Sequence, residues 1–230
     1  MAMDGFDHVS HWVFDLDNTL YPSECDLFAQ IDIRMSEFVA NYLDMDLTEA
    51  RRIQKQYYYD HGTTLSGLMK LHNLHPDEFL DYVHDIDLSP VPENPELDHQ
   101  LHQLPGRKVV FTNGSRKHAE NVLQHLSITH HFDAIVDIAA SDYIPKSHAH
   151  AFDRFLDHSK VEPAQSAMFD DLHSNLAPAK DLGMTTVWLK THKDWSNGKD
   201  ENSSEPPDHV DHATENLTQF LTDLNQILQR

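Results

Sequence analysis

Five short apolar runs punctuate the chain: His11-Trp-Val-Phe-Asp15, Lys108-Val-Val-Phe-Thr112, Ala134-Ile-Val136, Ala167-Met-Phe-Asp170 and Thr185-Thr-Val-Trp-Leu189. Their length and content are those of strands buried on both faces of a parallel sheet. Between them the period changes to that of a helix. Ala119, Val122, Leu123 and Leu126 recur at i, i+3, i+4 and i+7, and Leu182-Gly183 reads as a helix ending on a glycine. Leu217, Phe220, Leu221, Leu224, Ile227 and Leu228 predict a last helix that closes the core. Strand alternating with helix predicts an α/β fold with a doubly wound, Rossmann-like parallel sheet, which binds its ligands at the carboxyl ends of the strands.

Roughly ninety residues separate the first two runs, against the typical loop of about 2–6 residues between a strand and its helix. Such a stretch must be structured. Phe28, Ile31, Met35, Phe38, Val39 and Tyr42 keep helical spacing, as do parts of 49–59 and 77–83, so a small α-helical module is expected over residues 22–95. Ser89-Pro-Val-Pro-Glu-Asn-Pro is its return linker, and the core is then built from 1–21 and 96–230. Residues 195–208 are polar and acidic and carry Pro206-Pro207, which predicts an exposed loop.

Charge narrows the partners. Lys plus Arg number 17 against 38 Asp plus Glu, a formal charge of −21, and no Lys or Arg occurs between Lys70 and Arg107. That surface repels nucleic acid, and it repels a small phosphate too unless the site brings its own cations. No run approaches the eighteen or so apolar residues that cross a bilayer, and the first residues lack the basic start and apolar stretch of a secretory signal, so a cytoplasmic protein is expected. Cys25 is the one cysteine, which reads as a free thiol and excludes the usual thiolate zinc sites. Of the 19 histidines, the pairs His72/His75, His99/His102 and His148/His150 read as solvent-facing imidazoles rather than metal ligands.

The candidate chemistry lies at the ends of the apolar runs. Asp15 and Asp17 stand two residues apart at the first strand end, and Asp170 and Asp171 end another strand in the same way. Converging carboxylates are costly without a cation between them, and hard oxygen donors suit Mg²⁺ with waters and a substrate phosphate. Thr112-Asn113-Gly114-Ser115 follows the second strand, where a hydroxyl and the amides entering the next helix can hold phosphate oxygens. Lys146 supplies positive charge.

Phe14-Asp-Leu-Asp-Asn-Thr-Leu-Tyr21, Thr112-Asn-Gly, Lys146 and Asp170-Asp171 resemble the four motifs of the haloacid dehalogenase superfamily of phosphohydrolases. The resemblance covers nearly the whole chain. Residues 58–68, which contain Y-D-H-G-T-T-L-S-G-L, together with His118-Ala-Glu-Asn-Val-Leu and Tyr143-Ile-Pro-Lys, are similar to the pyrimidine 5′-nucleotidase branch, and the helical module resembles that superfamily's cap. Ser147 stands where relatives often carry proline.

The resemblance implies roles residue by residue. Asp15 is the nucleophile and Asp17 the general acid and base. Thr112, Asn113, Gly114 and Lys146 hold the phosphate. Asp15, the Asp17 carbonyl, Asp170 and Asp171 surround Mg²⁺, with either of the last two as the direct ligand. An acid at position 17 suits a phosphatase, since it can protonate the leaving alkoxide and then deprotonate the attacking water. That role predicts an Asp17 pKa shifted upward by neighbouring negative charge and cap closure. Substrate choice falls to cap residues Tyr57, Tyr58, His61, Thr63, Thr64 and Leu65, which offer stacking faces and hydrogen-bonding groups for a base and ribose, or else pack and cap the module's helices.

The expected activity is Mg²⁺-dependent hydrolysis of a small phosphorylated metabolite, a pyrimidine nucleoside 5′-monophosphate first, by a monomer or homodimer. A phosphatase of a sugar phosphate or lysophospholipid head group, or a β-phosphoglucomutase-like phosphotransferase, is the alternative. A regulatory module that kept the fold, and a histidine-rich metal buffer, are the non-enzyme readings.

Overall fold

The computed structural model describes residues 5–191 and 205–229. Its centre is a parallel sheet of six strands: β1 (His11–Phe14), β2 (Arg107–Phe111), β3 (Ala134–Val136), β4 (Ser166–Asp170), β5 (Thr185–Leu189) and β6 (His212–Thr214), in the order β3-β2-β1-β4-β5-β6. The five apolar runs each supply a strand. β6 was not anticipated, because its three residues carry no apolar pattern and become a strand only by pairing with β5. Most of the expected loop over 195–208 lies outside the described residues.

Alternation along β1 sorts the core into two layers. Trp12 and Phe14 point to one face, where they meet Phe169 and residues of α5 (Pro95–Gln103), α6 (Arg116–His125) and α9 (Leu217–Leu228). Val13 points to the other, with Val109, Phe111 and Met168 against α7 (Ala149–Ser159) and α8 (His173–Asp181). Helices on both faces make the sheet doubly wound, and the chain reverses its direction of winding between β1 and β4. After α8 the chain turns as expected on Gly183, at φ +85°, with its amide bonded to the Lys180 carbonyl.

Between β1 and α5 the chain forms α1 (Leu27–Leu43), α2 (Leu47–His61), α3 (Thr64–His72) and α4 (Pro76–Val83). These helices have their own apolar cluster, including Ile31, Val39, Leu68, Phe79 and Val83, joined by Ile138 from the core. α2 starts on Asp46, whose carboxylate accepts from the Thr48 and Glu49 amides, and α3 starts on Thr63, whose hydroxyl accepts from the Ser66 amide. Among the described residues no helix is long and apolar enough to cross a membrane.

Gly67 sets the approach of α2 to α3. A Cβ there would sit 2.5 Å from the Tyr57 Cβ and Cγ, atoms too near the backbone to swing aside. Ala for Gly inside a helix normally gains about 1 kcal/mol. Gly67→Ala is expected instead to lose about 1–3 kcal/mol to overpacking, read as a lower urea midpoint, and a raised midpoint would refute this packing.

Candidate active site

Sheet register builds the site. Phe14 lies opposite Phe169 of β4 and Val110 of β2, so the chain leaving β1 places Asp15 level with Asp170 at the point where the winding reverses. The Asp15 amide donates to the Phe169 carbonyl at 2.8 Å, which fixes that level. Asp15, Asp170 and Asp171 are all buried, and they bring oxygens within 4.8 Å of one another. Residues 155 positions apart thus converge because their strands are neighbours.

Lys146 stands among them, 2% exposed. Its ammonium donates to Asp15 Oδ1, to Asp170 Oδ2 at 2.7 Å and to the Phe111 carbonyl at 3.1 Å. Burial works against its charge, but Asp15 and Asp170 outweigh burial and hold the amine above its ordinary pKa. Its backbone is positioned by Asn113, whose Oδ1 accepts from the Lys146 amide at 3.0 Å. Asp170 is oriented through Oδ1 by the Leu172 amide at 3.0 Å and Asn175 Nδ2 at 2.9 Å.

One lysine does not balance three carboxylates. Burial first, and the repulsion of Asp170 and Asp17 with it, pushes Asp15 up to about 7 against the pull of Lys146. Burial, Asp15 and Asp170 push Asp171 well above the usual carboxylate range. Asn18, at φ +60°, donates its Nδ2 to Asp171 at 3.3 Å, and its buried Oδ1 has no partner. All-oxygen donors, surplus negative charge and an orphaned acceptor fit a hard divalent cation.

Asp17 differs from expectation. Burial does push its pKa up, but His118 reverses this by charge and by a 2.7 Å hydrogen bond from Nε2 to Oδ1, and Tyr21 donates its hydroxyl to the same oxygen at 2.6 Å. The carboxyl is held at about 2, so the expected upward shift is corrected to a downward one. His118, on the first turns of α6, was legible only as part of a motif. Its ring stacks on His84, the residue ending α4, at 4.4 Å and 11°. Burial first, then the facing His118, pushes His84 to about 3, so it is a neutral ring at neutral pH.

The expected phosphate cradle is partly occupied by the protein itself. The Gly114 amide donates to Thr112 Oγ1 at 2.9 Å, the Arg116 amide to Asp137 at 3.0 Å and the His118 amide to Ser115 at 3.3 Å. A phosphate there would use Thr112 and Lys146 and draw the Gly114 amide from its internal acceptor. Glycine at 114 keeps this corner open: a Cβ would lie 3.2 Å from Thr112 Oγ1 and 3.6 Å from Asp17 Oδ2.

A cavity of about 170 Å³ runs from these residues to the helical module. Asp15, Asp17, Thr112, Asn113, Gly114, Lys146 and Asp171 line one end, and Tyr58, Thr63, Thr64 and Leu65 line the other together with Phe28, Phe79 and Leu80. Tyr57 and His61 are not part of that lining. Tyr57 turns into the module instead, packing on Gly67, and its hydroxyl bonds His72 Nε2 at 2.6 Å. The sequence reading also passed over Asp32, which lines the cavity from α1 and is buried against Gln54 Nε2 at 2.7 Å and Lys55 Nζ at 2.6 Å. Asp32 on α1 and the adjacent Gln54 and Lys55 on α2 lie more than twenty residues apart and leave no motif to find.

The family profile described as haloacid dehalogenase-like hydrolase matches residues 10–183. Phosphate metabolism protein 8 of Saccharomyces cerevisiae is 29% identical over 192 residues, covering 76% of this chain and 59% of that protein, so the chain spans about three-fifths of its relative's length. Among solved structures, the fold is shared with a HAD phosphatase from Thermococcus onnurineus, at 19% identity and a TM-score of 0.63 over 96% of this chain and 98% of that one. It is shared also with L-2-haloacid dehalogenase from Xanthobacter autotrophicus, at 17% identity and a TM-score of 0.56 over 96% and 98%. With a profile that spans most of its length and a sheet that brings the four motifs to one cavity, the chain belongs to the haloacid dehalogenase-like hydrolase family.

Proposed function

We propose that the protein hydrolyses phosphomonoesters through an aspartyl-phosphate on Asp15, and that its substrate is a nucleoside 5′-monophosphate with a pyrimidine base. The observation that carries the hydrolase chemistry is the second carboxylate, Asp17, which lines the same cavity as Asp15. A dehalogenase has no need of an acid there, whereas a phosphate ester needs a proton for its leaving oxygen and later a base for water.

Asp15 Oδ attacks phosphorus as the ester P–O bond breaks, and the departing alkoxide takes a proton from Asp17. Water then attacks the acyl phosphate while Asp17 takes its proton, which releases phosphate and restores Asp15. Held at about 2, Asp17 is ionised before substrate binds; the arrival of a phosphate dianion beside it raises its proton affinity, so that it takes up one proton from solvent before the ester bond breaks, and this is the proton the leaving oxygen receives. Lys146 and Thr112 bind the phosphoryl oxygens. Asp15, the Asp17 carbonyl, Asp170 and Asp171 would hold Mg²⁺, which when bound supplies charge neutralisation at the phosphoryl group.

The module over residues 22–95 acts as the cap. Aromatic and aliphatic side chains with a few polar groups at its end of the cavity suit a flat base and a ribose, and Tyr58, Thr63, Thr64 and Leu65 are the residues that read them. The test is phosphate release from UMP, CMP, dUMP, AMP, a sugar phosphate and an aryl phosphate, with and without Mg²⁺. Mg²⁺-dependent turnover strongest on UMP or CMP is expected. Equal turnover of the whole panel would remove the nucleotide assignment, and an isomeric phosphate without free phosphate would make the protein a mutase.

A further inference from the structure

At the amino ends of β2 and β3, the opposite end of the strands from the carboxylate cavity, two imidazoles face one carboxylate. Asp98 lies on the first turn of α5, and His130 and His131 lie on a 3₁₀ turn (Thr129–His131) just before β3. Asp98 Oδ1 is 2.8 Å from His131 Nε2 and 3.5 Å from His130 Nε2, and the three atoms lie within 4.8 Å of one another. Tetrahedral zinc with ligands at about 2.0–2.1 Å spaces its ligand atoms about 3.3 Å apart. The cluster is therefore close to a ligand set before any rearrangement.

We propose that Asp98, His130 and His131 bind one borderline-soft divalent cation of the Zn²⁺ class, with water in the fourth position, and so clamp α5 to the turn that leads into β3. Two features support the assignment. The imidazole rings sit 3.9 Å apart, and both turn Nε2 toward the same carboxylate oxygen, so one ion can be reached by all three side chains. His131 is also fixed in place, its side chain 5% exposed, so binding need order only His130 and Asp98.

Nitrogen donors separate this site from the all-oxygen cluster at Asp15, because imidazole favours zinc and nickel whereas carboxylates suit magnesium. The experiment is calorimetric titration of chelator-stripped protein with Zn²⁺ in excess Mg²⁺, on the wild type, His130→Ala and Asp98→Asn. His130 is 64% exposed, so its removal leaves the fold intact. One Zn²⁺ per chain is expected for the wild type, with affinity reduced at least about tenfold in each variant, the scale on which even outer partners of a metal matter. Zn²⁺ should raise the wild-type Tm but not that of His130→Ala, and phosphate release should be the same in all three proteins. Absence of Zn²⁺ binding in the presence of Mg²⁺, or binding by both variants as tight as that of the wild type, would overturn the assignment.

Discussion

Asp15→Asn is expected to lose roughly 10⁴–10⁶-fold in phosphate release while remaining folded, because an amide oxygen is too weak a nucleophile to form the acyl phosphate. The same substitution carries a stability signature. Asp15 titrates at about 7 in the folded chain against an ordinary 3.8, so the folded state binds this proton more tightly than the unfolded state does. The contribution of this group to wild-type stability is therefore fully present below about pH 4, shrinks as pH rises, and is gone above about pH 7. Asparagine has no such titration. In a chelator, the stability of Asp15→Asn relative to wild type should rise across that window, and Mg²⁺ should shrink the difference by restoring the wild type. Urea midpoints from pH 4 to pH 8 measure this. A gap that stays flat would mean that the crowding of Asp15, Asp170 and Asp171 costs nothing, and residual turnover within tenfold of wild type would remove Asp15 as nucleophile.

Lys146→Met has a comparable effect for a different reason. The side chain is nearly isosteric, but Asp15 and Asp170 lose the cation that both contact. Breaking a buried pair on one side typically costs about 3–5 kcal/mol, because the remaining charge stays desolvated without compensation. Loss of a preorganised charge at the phosphoryl group costs a further ~10²–10³ in rate. The variant should unfold at markedly lower urea, and Mg²⁺ should recover more stability in Lys146→Met than in wild type, since the ion then replaces the only positive charge the carboxylates had lost. Equal unfolding curves for the two proteins would show that Lys146 does not balance the cluster.

The strand ends were legible because each is an apolar run that stops on an acid, hydroxyl or turn residue, and a parallel sheet delivers all such ends to one edge. β6 and α3 were not. β6 is a strand through its partner alone, and Thr64–His72 carries Gly67 where a helical pattern would place a side chain, a gap that the ring of Tyr57 fills. The electrostatics of Asp17 were invisible for a related reason: the acid was read from its near neighbours Asp15 and the phosphate to come, whereas its partner His118 is 101 residues away and reaches it through the turn after β2. Tyr57 was assigned to the cavity from its neighbours in sequence, but a helix sends residues 57 and 58 in directions about 100° apart, and only Tyr58 faces the cavity.

The adjacency of β1 and β4 also sets a schedule for biosynthesis. Asp15, Thr112 and Lys146 are synthesised well before Asp170 and Asp171, and a nascent chain that has emerged only as far as Lys146 holds Asp15 and the lysine without β4, the strand that seats next to β1. Until β4 docks, Asp15 lacks both the Phe169 carbonyl that fixes its level and the carboxylates that complete the cation cluster. On the proposed mechanism a nascent chain without β4 has an incomplete site, and the edge of β1 stays open to unwanted pairing for the same interval.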